Sequence, residues 1–257
     1  VGNLPMLPHG FANKTLVVCS GGLDSSVAAW WHFKRGDDVT LLHFAHNAKA
    51  EGRELIAVRK LAQKMYGDDW LRHTRMVRTN FFQQHALSVL TDPDGIVNKK
   101  EDGVAGAEIA SEWTPARNTV FAALTMAIAE AEFDTIVFGT NLEEAGAFPD
   151  NEPEWGNKIR ALLPYALKPY KRVDLSLPVG DLMKHEIVRL GLNIECPFEV
   201  TWSCYEGGDK HCGYCGPCSN RKTAFAMNNE TDPVFETPPD YRQYSGDSSF
   251  PIPEVTT

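Results

Sequence analysis

A chain of 257 residues with 43% hydrophobic and 23% charged side chains has the balance of a folded domain with one sizeable core. Its formal charge of −9 argues against a broad nucleic-acid-binding face, and no apolar run is long enough to span a bilayer. Residues 1–13 lack a charged stretch followed by an apolar one, so a cytoplasmic protein without a secretory signal is expected.

That lead has two prolines and no periodicity, and reads as irregular. Residues 15–19 (TLVVC) are an apolar, β-prone run and predict a buried strand. A helix over 24–33 follows, ending near Arg35-Gly36. Between strand and helix stands Ser20-Gly21-Gly22-Leu23-Asp24-Ser25-Ser26. Glycines let the backbone approach a ligand, a helix start offers unpaired N–H groups, and the serines add hydroxyls. Such a turn suits a phosphate chain, without the Gly-Lys-Ser/Thr of the Walker loop.

Residues 39–44 (VTLLHF) predict a second strand and 50–66 an amphipathic helix, with Leu55, Val58, Leu61 and Ala62 at helical spacing. A weak third strand is expected over 71–77. Strand–helix alternation is the grammar of a parallel sheet with right-handed crossovers. Phe81, Phe82 and Leu87 suggest a short helix, and 92–106 a long polar loop. Residues 119–132 are apolar nearly all round and predict a buried helix; 135–139 (TIVFG) predict a strand whose carboxyl end, Gly139 to Asn141, lies where open α/β sheets bind ligands. Residues 145–155 read as a loop, 157–165 as a helix, 173–178 as a short strand, and 181–190 as an amphipathic helix stopped by Gly191. A short helix over 222–227 precedes an extended or disordered tail from Asn228.

Cys19 and Cys196 stand apart, whereas Cys204, Cys212, Cys215 and Cys218 crowd together with glycines between them. Four thiolates at this spacing can close a tetrahedron around a structural Zn²⁺. An iron–sulfur cluster or a redox pair are the alternatives.

The loop resembles the SGGxDS signature of the ATP-pyrophosphatase superfamily. Further motifs extend the likeness: Pro115-x-Arg117-Asn118 before a helix, Phe148-Pro149-Asp150 with Pro153-Glu154, Lys184-His185-Glu186, and Cys196-Pro197-Phe198-Glu199 leading into the cysteine cluster and Arg221. Together, over roughly residues 15–227, they are similar to the 7-cyano-7-deazaguanine synthase family. The resemblance implies an α/β, Rossmann-like sheet of the adenine nucleotide alpha hydrolase type with helices on both faces. It divides the chain into a nucleotide-binding domain at 1–195, a zinc-binding C-terminal subdomain at 196–230 and a tail at 231–257. It implies an ATP-dependent C–N ligase that converts 7-carboxy-7-deazaguanine and ammonia into the nitrile through adenylated acid and amide. Cys19, Ser20, Gly21, Gly22, Leu23, Asp24, Ser25, Ser26 and Gly139 would hold ATP with Mg²⁺. Asp24, Ser25, Lys184 and Arg117 would be catalytic, with Lys184 neutralising charge on the phosphates. Arg117, Asn118, Asn141, Phe148, Asp150 and Glu154 would bind the substrate.

The stretch His43-Phe44-Ala45-His46-Asn47-Ala48-Lys49 departs from the Tyr-Gly-Gln type of sequence usual in that family, which puts contacts made there in doubt. The resemblance also implies a homodimer, while the charge and the lack of a spanning run leave neither a nucleic-acid nor a membrane partner expected. No glutaminase-like segment is visible, so ammonia is expected as free ammonium or from another chain. Three other readings stay open: an enzyme that stops at the amide, a tRNA-modifying ATP pyrophosphatase with a reactive cysteine, and a non-catalytic zinc-stabilised nucleotide-binding module.

Overall fold

The computed structural model of the chain describes residues 12–86, 88–92, 94–95 and 112–235. Most of the lead, Leu87, the greater part of the 92–106 loop and the tail beyond 235 lie outside the described residues. Five strands form one parallel sheet: β1 (Lys14–Val18), β2 (Asp38–Ala45), β3 (Thr74–Arg78), β4 (Thr135–Val137) and β5 (Asp174–Ser176). Their order is β3-β2-β1-β4-β5, and Leu16 stands opposite both Thr40 and Ile136. The chain builds outward from β1 to one side, then returns to its other side with β4. A crevice therefore opens at the carboxyl ends of β1 and β4, the position where such sheets take ligands.

The helices are α1 (Leu23–Lys34), α2 (Glu51–Tyr66), α3 (Phe81–His85), α4 (Arg117–Glu132), α5 (Leu142–Ala145), α6 (Pro153–Ala166), α7 (Lys184–Asn193) and α8 (Gly216–Ala226). Strand side chains alternate between faces. Val17, Val39 and Leu41 pack with Val27, Val58, Leu61, Ile187, Val188 and Phe225 from α1, α2, α7 and α8. Leu16, Leu42, Phe44 and Ile136 pack on the other face with Phe121, Met126, Ile159 and Leu163 from α4 and α6. Both faces are covered over the middle of the sheet, which is why β1, β2 and β4 read as largely apolar runs, while the edge strands β3 and β5 do not.

Several expectations are corrected in detail. The stretch 71–77 divides into a 3-10 turn, Gly67–His73, and the edge strand β3, because pairing with β2 begins only at Thr74. Helix α4 is buried on one face only; Leu124 is 38% exposed on the other. The 145–155 loop contains a turn at Pro149–Asn151, and α6 starts at Pro153, where a proline at the first helical position needs no N–H partner. Helix α7 starts at Lys184, where Met183 N donates to Glu186 Oε2 at 2.9 Å. Gly191 does not stop it; a Cβ there would strike the Phe198 ring, so this glycine serves close packing. Residues at the start of the expected tail are packed, since Asp232 is buried against Arg221.

Candidate functional site

Val17 and Val18 end β1, and the glycine loop turns the chain into α1. Gly21 sits at φ +80°, and a Cβ on it would lie 2.7 Å from the Glu54 carbonyl and 2.8 Å from Ala57 Cβ. Only glycine fits that conformation and that space. Gly139 at the end of β4 is equally constrained: a Cβ there would be 2.7 Å from both N and Cα of Ser25. The start of α1 is thereby pressed against the end of β4. Ser20 Oγ accepts from Gly22 N at 3.2 Å and lies 3.2 Å from Ser25 Oγ.

A cavity of about 200 Å³ opens over this turn. Cys19, Ser20, Gly22, Leu23, Asp24, Ser25, Gly139, Arg117, Asn118 and Lys184 line it. Lys184 Nζ, from the first residue of α7, lies 2.6 Å from Asp24 Oδ2 and 2.8 Å from Glu144 Oε1. Asn141 caps α5 by accepting from Glu144 N at 3.0 Å, and its amide donates to Asp24 Oδ2 at 3.3 Å. Burial alone would pull the Lys184 ammonium down, but Asp24 and Glu144 outweigh it and hold it charged. Burial pushes Asp24 up to about 6 against the pull of Lys184. Asp24 Oδ1 is buried without a hydrogen-bond partner, as is Ser26 Oγ. Arg117 lines the cavity and makes no ion pair among the described residues. Burial raises the Cys19 thiol to about 11 and raises Cys196 as well, so both are inert at neutral pH.

The remaining expected residues are placed elsewhere. Asn141 sits behind Asp24 and does not line the cavity. Phe148 packs beside Trp113, at 6.5 Å between ring centres. Asp150 is consumed by α4: its Oδ2 accepts from Asn118 N at 3.0 Å, and its carbonyl from Asn118 Nδ2 at 3.2 Å. This carboxylate caps a helix whose preceding residue, Ala116, is left-handed at φ +56° and offers no side-chain cap. Glu154 is exposed on α6, where it pairs with Lys158 at 2.9 Å. Sequence reasoning missed His43, His46, Glu54, Glu144, Trp202 and Tyr205, all of which line the cavity. His43 lies on β2, His46 just past its end, Glu54 on α2 and Glu144 on α5, where they read as ordinary strand, loop or helix-surface residues.

The four cysteine sulfurs lie within 4.8 Å of one another and form a set that can hold a metal ion. Cys212 Sγ and Cys218 Sγ are 3.9 Å apart. Cys212 N and Cys215 N point at the sulfurs of Cys204 and Cys212, at 3.4 and 3.3 Å. The cluster backs directly onto the glycine loop, because Trp202 N donates to the Gly21 carbonyl at 2.8 Å. Arg221 fixes the same segment, reaching Asp232 at 2.6 and 2.9 Å, Thr201 Oγ1 at 2.6 Å and the Phe198 carbonyl at 3.1 Å.

A family model described as queuosine biosynthesis protein QueC matches residues 14–229. A 7-cyano-7-deazaguanine synthase of Sulfolobus acidocaldarius is 47% identical over 238 residues, which are 91% of this chain and 50% of the relative. One of Methanothrix thermoacetophila is 36% identical, covering 86% of this chain and 97% of its own length. The chain thus spans about half the length of the first and nearly all of the second. Among solved structures, the U34-tRNA thiolase NcsA of Methanococcus maripaludis, with its [4Fe-4S] cluster, superposes with a TM-score of 0.41 at 18% identity, over 87% of this chain and 68% of its own. Among the described residues no helix is long and apolar enough to cross a membrane.

Proposed function

We propose a function from one premise: the chain belongs to the QueC family of queuosine biosynthesis proteins. It converts 7-carboxy-7-deazaguanine and ammonia into 7-cyano-7-deazaguanine, with two ATP consumed as AMP and pyrophosphate. The observation that carries this reading is the Asp24–Lys184–Glu144 group at the switch point of the sheet, its lysine buried and its carboxylates partly exposed, beside Arg117, which has no ion pair among the described residues. A carboxylate is a poor electrophile, so its oxygen must first become part of a leaving group. In this reading the N–H groups of the glycine loop hold the phosphates at the start of α1. Lys184 supplies a fixed positive charge where negative charge grows on the phosphates. Arg117 takes the substrate carboxylate, to which its planar fork is matched.

The orphaned Asp24 Oδ1 fits a Mg²⁺ ion that accompanies ATP. Bound there, the ion would offset phosphate charge. Ser25 and Ser20 orient the loop hydroxyls toward the phosphate chain. Ammonia displaces the first AMP to give the amide; adenylation of the amide oxygen and elimination then give the nitrile. Both rounds activate an oxygen on one carbon, so one cavity serves both.

The cysteine set holds zinc in this reading. A Zn–S bond of about 2.3 Å places sulfurs about 3.8 Å apart, close to the 3.9 Å between Cys212 and Cys218. Four ligands leave no open position, so the ion stabilises and does not catalyse. A homodimer and a reducing, cytoplasmic setting complete the proposal. The inert Cys19 and Cys196 speak against a thiol-transfer enzyme that works through them. Mass analysis of the product from purified protein, the acid, ammonium, ATP and Mg²⁺ tests the function. Nitrile is expected; amide alone would place the end point one step earlier, and neither product would refute the reading.

A further inference from the structure

One wall of the cavity takes no part in the steps above. Near the carboxyl end of β2, His43 Nδ1 faces the Cys19 carbonyl at 3.1 Å, and His46 Nδ1 faces the Phe44 carbonyl at 2.9 Å. A carbonyl oxygen only accepts, so each ring carries its hydrogen on Nδ1. Burial holds both imidazoles neutral, His46 down to about 4. Each Nε2 is therefore a bare lone pair, and both are buried with no hydrogen-bond partner among the described residues. Glu54 of α2 adds a carboxyl group that lines the same cavity and has no hydrogen-bond or ion-pair partner among the described residues. Burial pushes it up to about 7, and N–H donors from a ligand would hold it in its ionised, accepting form. The charges that act on the three come from Glu51 on α2, Arg78 on β3 and Arg117 on α4. Buried acceptors are costly to leave unmatched, so this wall calls for a ligand edge made of N–H donors.

The two rings of the proposed reaction differ in this respect. A guanine-type ring presents N1–H beside its 2-amino group, an uninterrupted row of donors. An adenine ring presents its amino group beside a bare N1, which would confront another lone pair. A carboxylate accepts two parallel N–H bonds from the first edge and cannot do so from the second. Asp150 and Glu154 are engaged elsewhere, which leaves Glu54 as the unpaired cavity carboxylate among the described residues.

We propose that Glu54, supported by the Nε2 atoms of His43 and His46, reads the N1–H and 2-amino edge of the deazaguanine substrate and selects a guanine-type ring over an adenine-type one. The inference rests on the function proposed above. It replaces Asp150 and Glu154 as the acids that face the ring, and it gives a role to the residues that depart from the family's usual sequence after β2.

The test measures binding and turnover of 7-carboxy-7-deazaguanine and of its analogue lacking the 2-amino group, with wild type and E54Q. Wild type is expected to prefer the parent by about ten- to a hundred-fold, as for a hydrogen bond to a charged group. E54Q places an amide N–H against a ring N–H, so its KM for the parent should rise about tenfold or more, with kcat changed less. Its preference over the analogue should collapse, while its ATP dissociation constant and ammonium KM stay within about twofold. H46Q should lose part of the same preference and serves if E54Q melts early. A rise in the ATP constant instead would assign the wall to adenine, and a rise in the ammonium KM to the amine; either overturns the proposal, as does an intact preference in E54Q. Wild-type turnover separates the two levels. No product and no binding of the acid would remove the functional reading and this proposal with it, whereas turnover with an unchanged E54Q preference removes only the proposal.

Discussion

Lys184 is 6% exposed and pairs with two carboxylates on different elements, Asp24 on α1 and Glu144 on α5. Removing one member of a buried charge group leaves the others uncompensated, at a cost of about 3–5 kcal/mol. Lys184→Met should therefore lower the urea unfolding free energy by about that amount and slow AMP release by about a hundredfold or more. Equal AMP release in the variant would exclude the lysine from the phosphate site. His46 gives a pH prediction. Its folded-state value is lowered from 6.5 to about 4 by burial, so the unfolded chain binds a proton that the native chain refuses. Stability is complete above pH 6.5 and falls as pH drops through that window, by at most about 3 kcal/mol from this group. His46→Gln should flatten this part of the stability curve; a variant that keeps the full slope would assign it to another group.

At the scale of elements, the contact of β4 with α1 sets the cavity. Gly139→Ala would push a Cβ into the backbone of Ser25 at 2.7 Å. Overpacking of this kind costs about 1–3 kcal/mol, and it opens the loop, so a lower melting temperature should come with weaker ATP binding. Loss of stability with unchanged ATP affinity would uncouple the two. The order of strands and helices was legible in the sequence because buried parallel strands are apolar runs and the helices between them have their own period. Element ends were less legible. Gly191 resembles a helix stop, yet its missing side chain admits Phe198, a contact from beyond the helix. The loop and the cysteines announced themselves by type and spacing, whereas Lys184 was marked only by the family resemblance. Asp150 did not, since a capping carboxylate and a substrate-binding one are the same residue in sequence; only Asn118 at 3.0 Å distinguishes them. Glu54, likewise, is one charged residue among many on an amphipathic helix.

At the scale of the molecule, the cysteine cluster and the glycine loop form a continuous structure. Trp202 N holds the Gly21 carbonyl, and the buried Arg221–Asp232 pair secures the segment behind it. A metal held by the four cysteines would thereby be coupled to the loop as well as to the C-terminal part. Cys215→Ser should lose the bound metal by elemental analysis, lower the melting temperature and weaken ATP binding together. A metal-free variant with native ATP affinity would show that the two sites are independent. The sharpest test of the central claim follows both carboxyl oxygens of the substrate. With 7-carboxy-7-deazaguanine labelled by ¹⁸O at both oxygens, adenylation of the acid and then of the amide should yield unlabelled nitrile and two AMP molecules, each carrying one ¹⁸O. Nitrile formed with unlabelled AMP would contradict activation by adenylation.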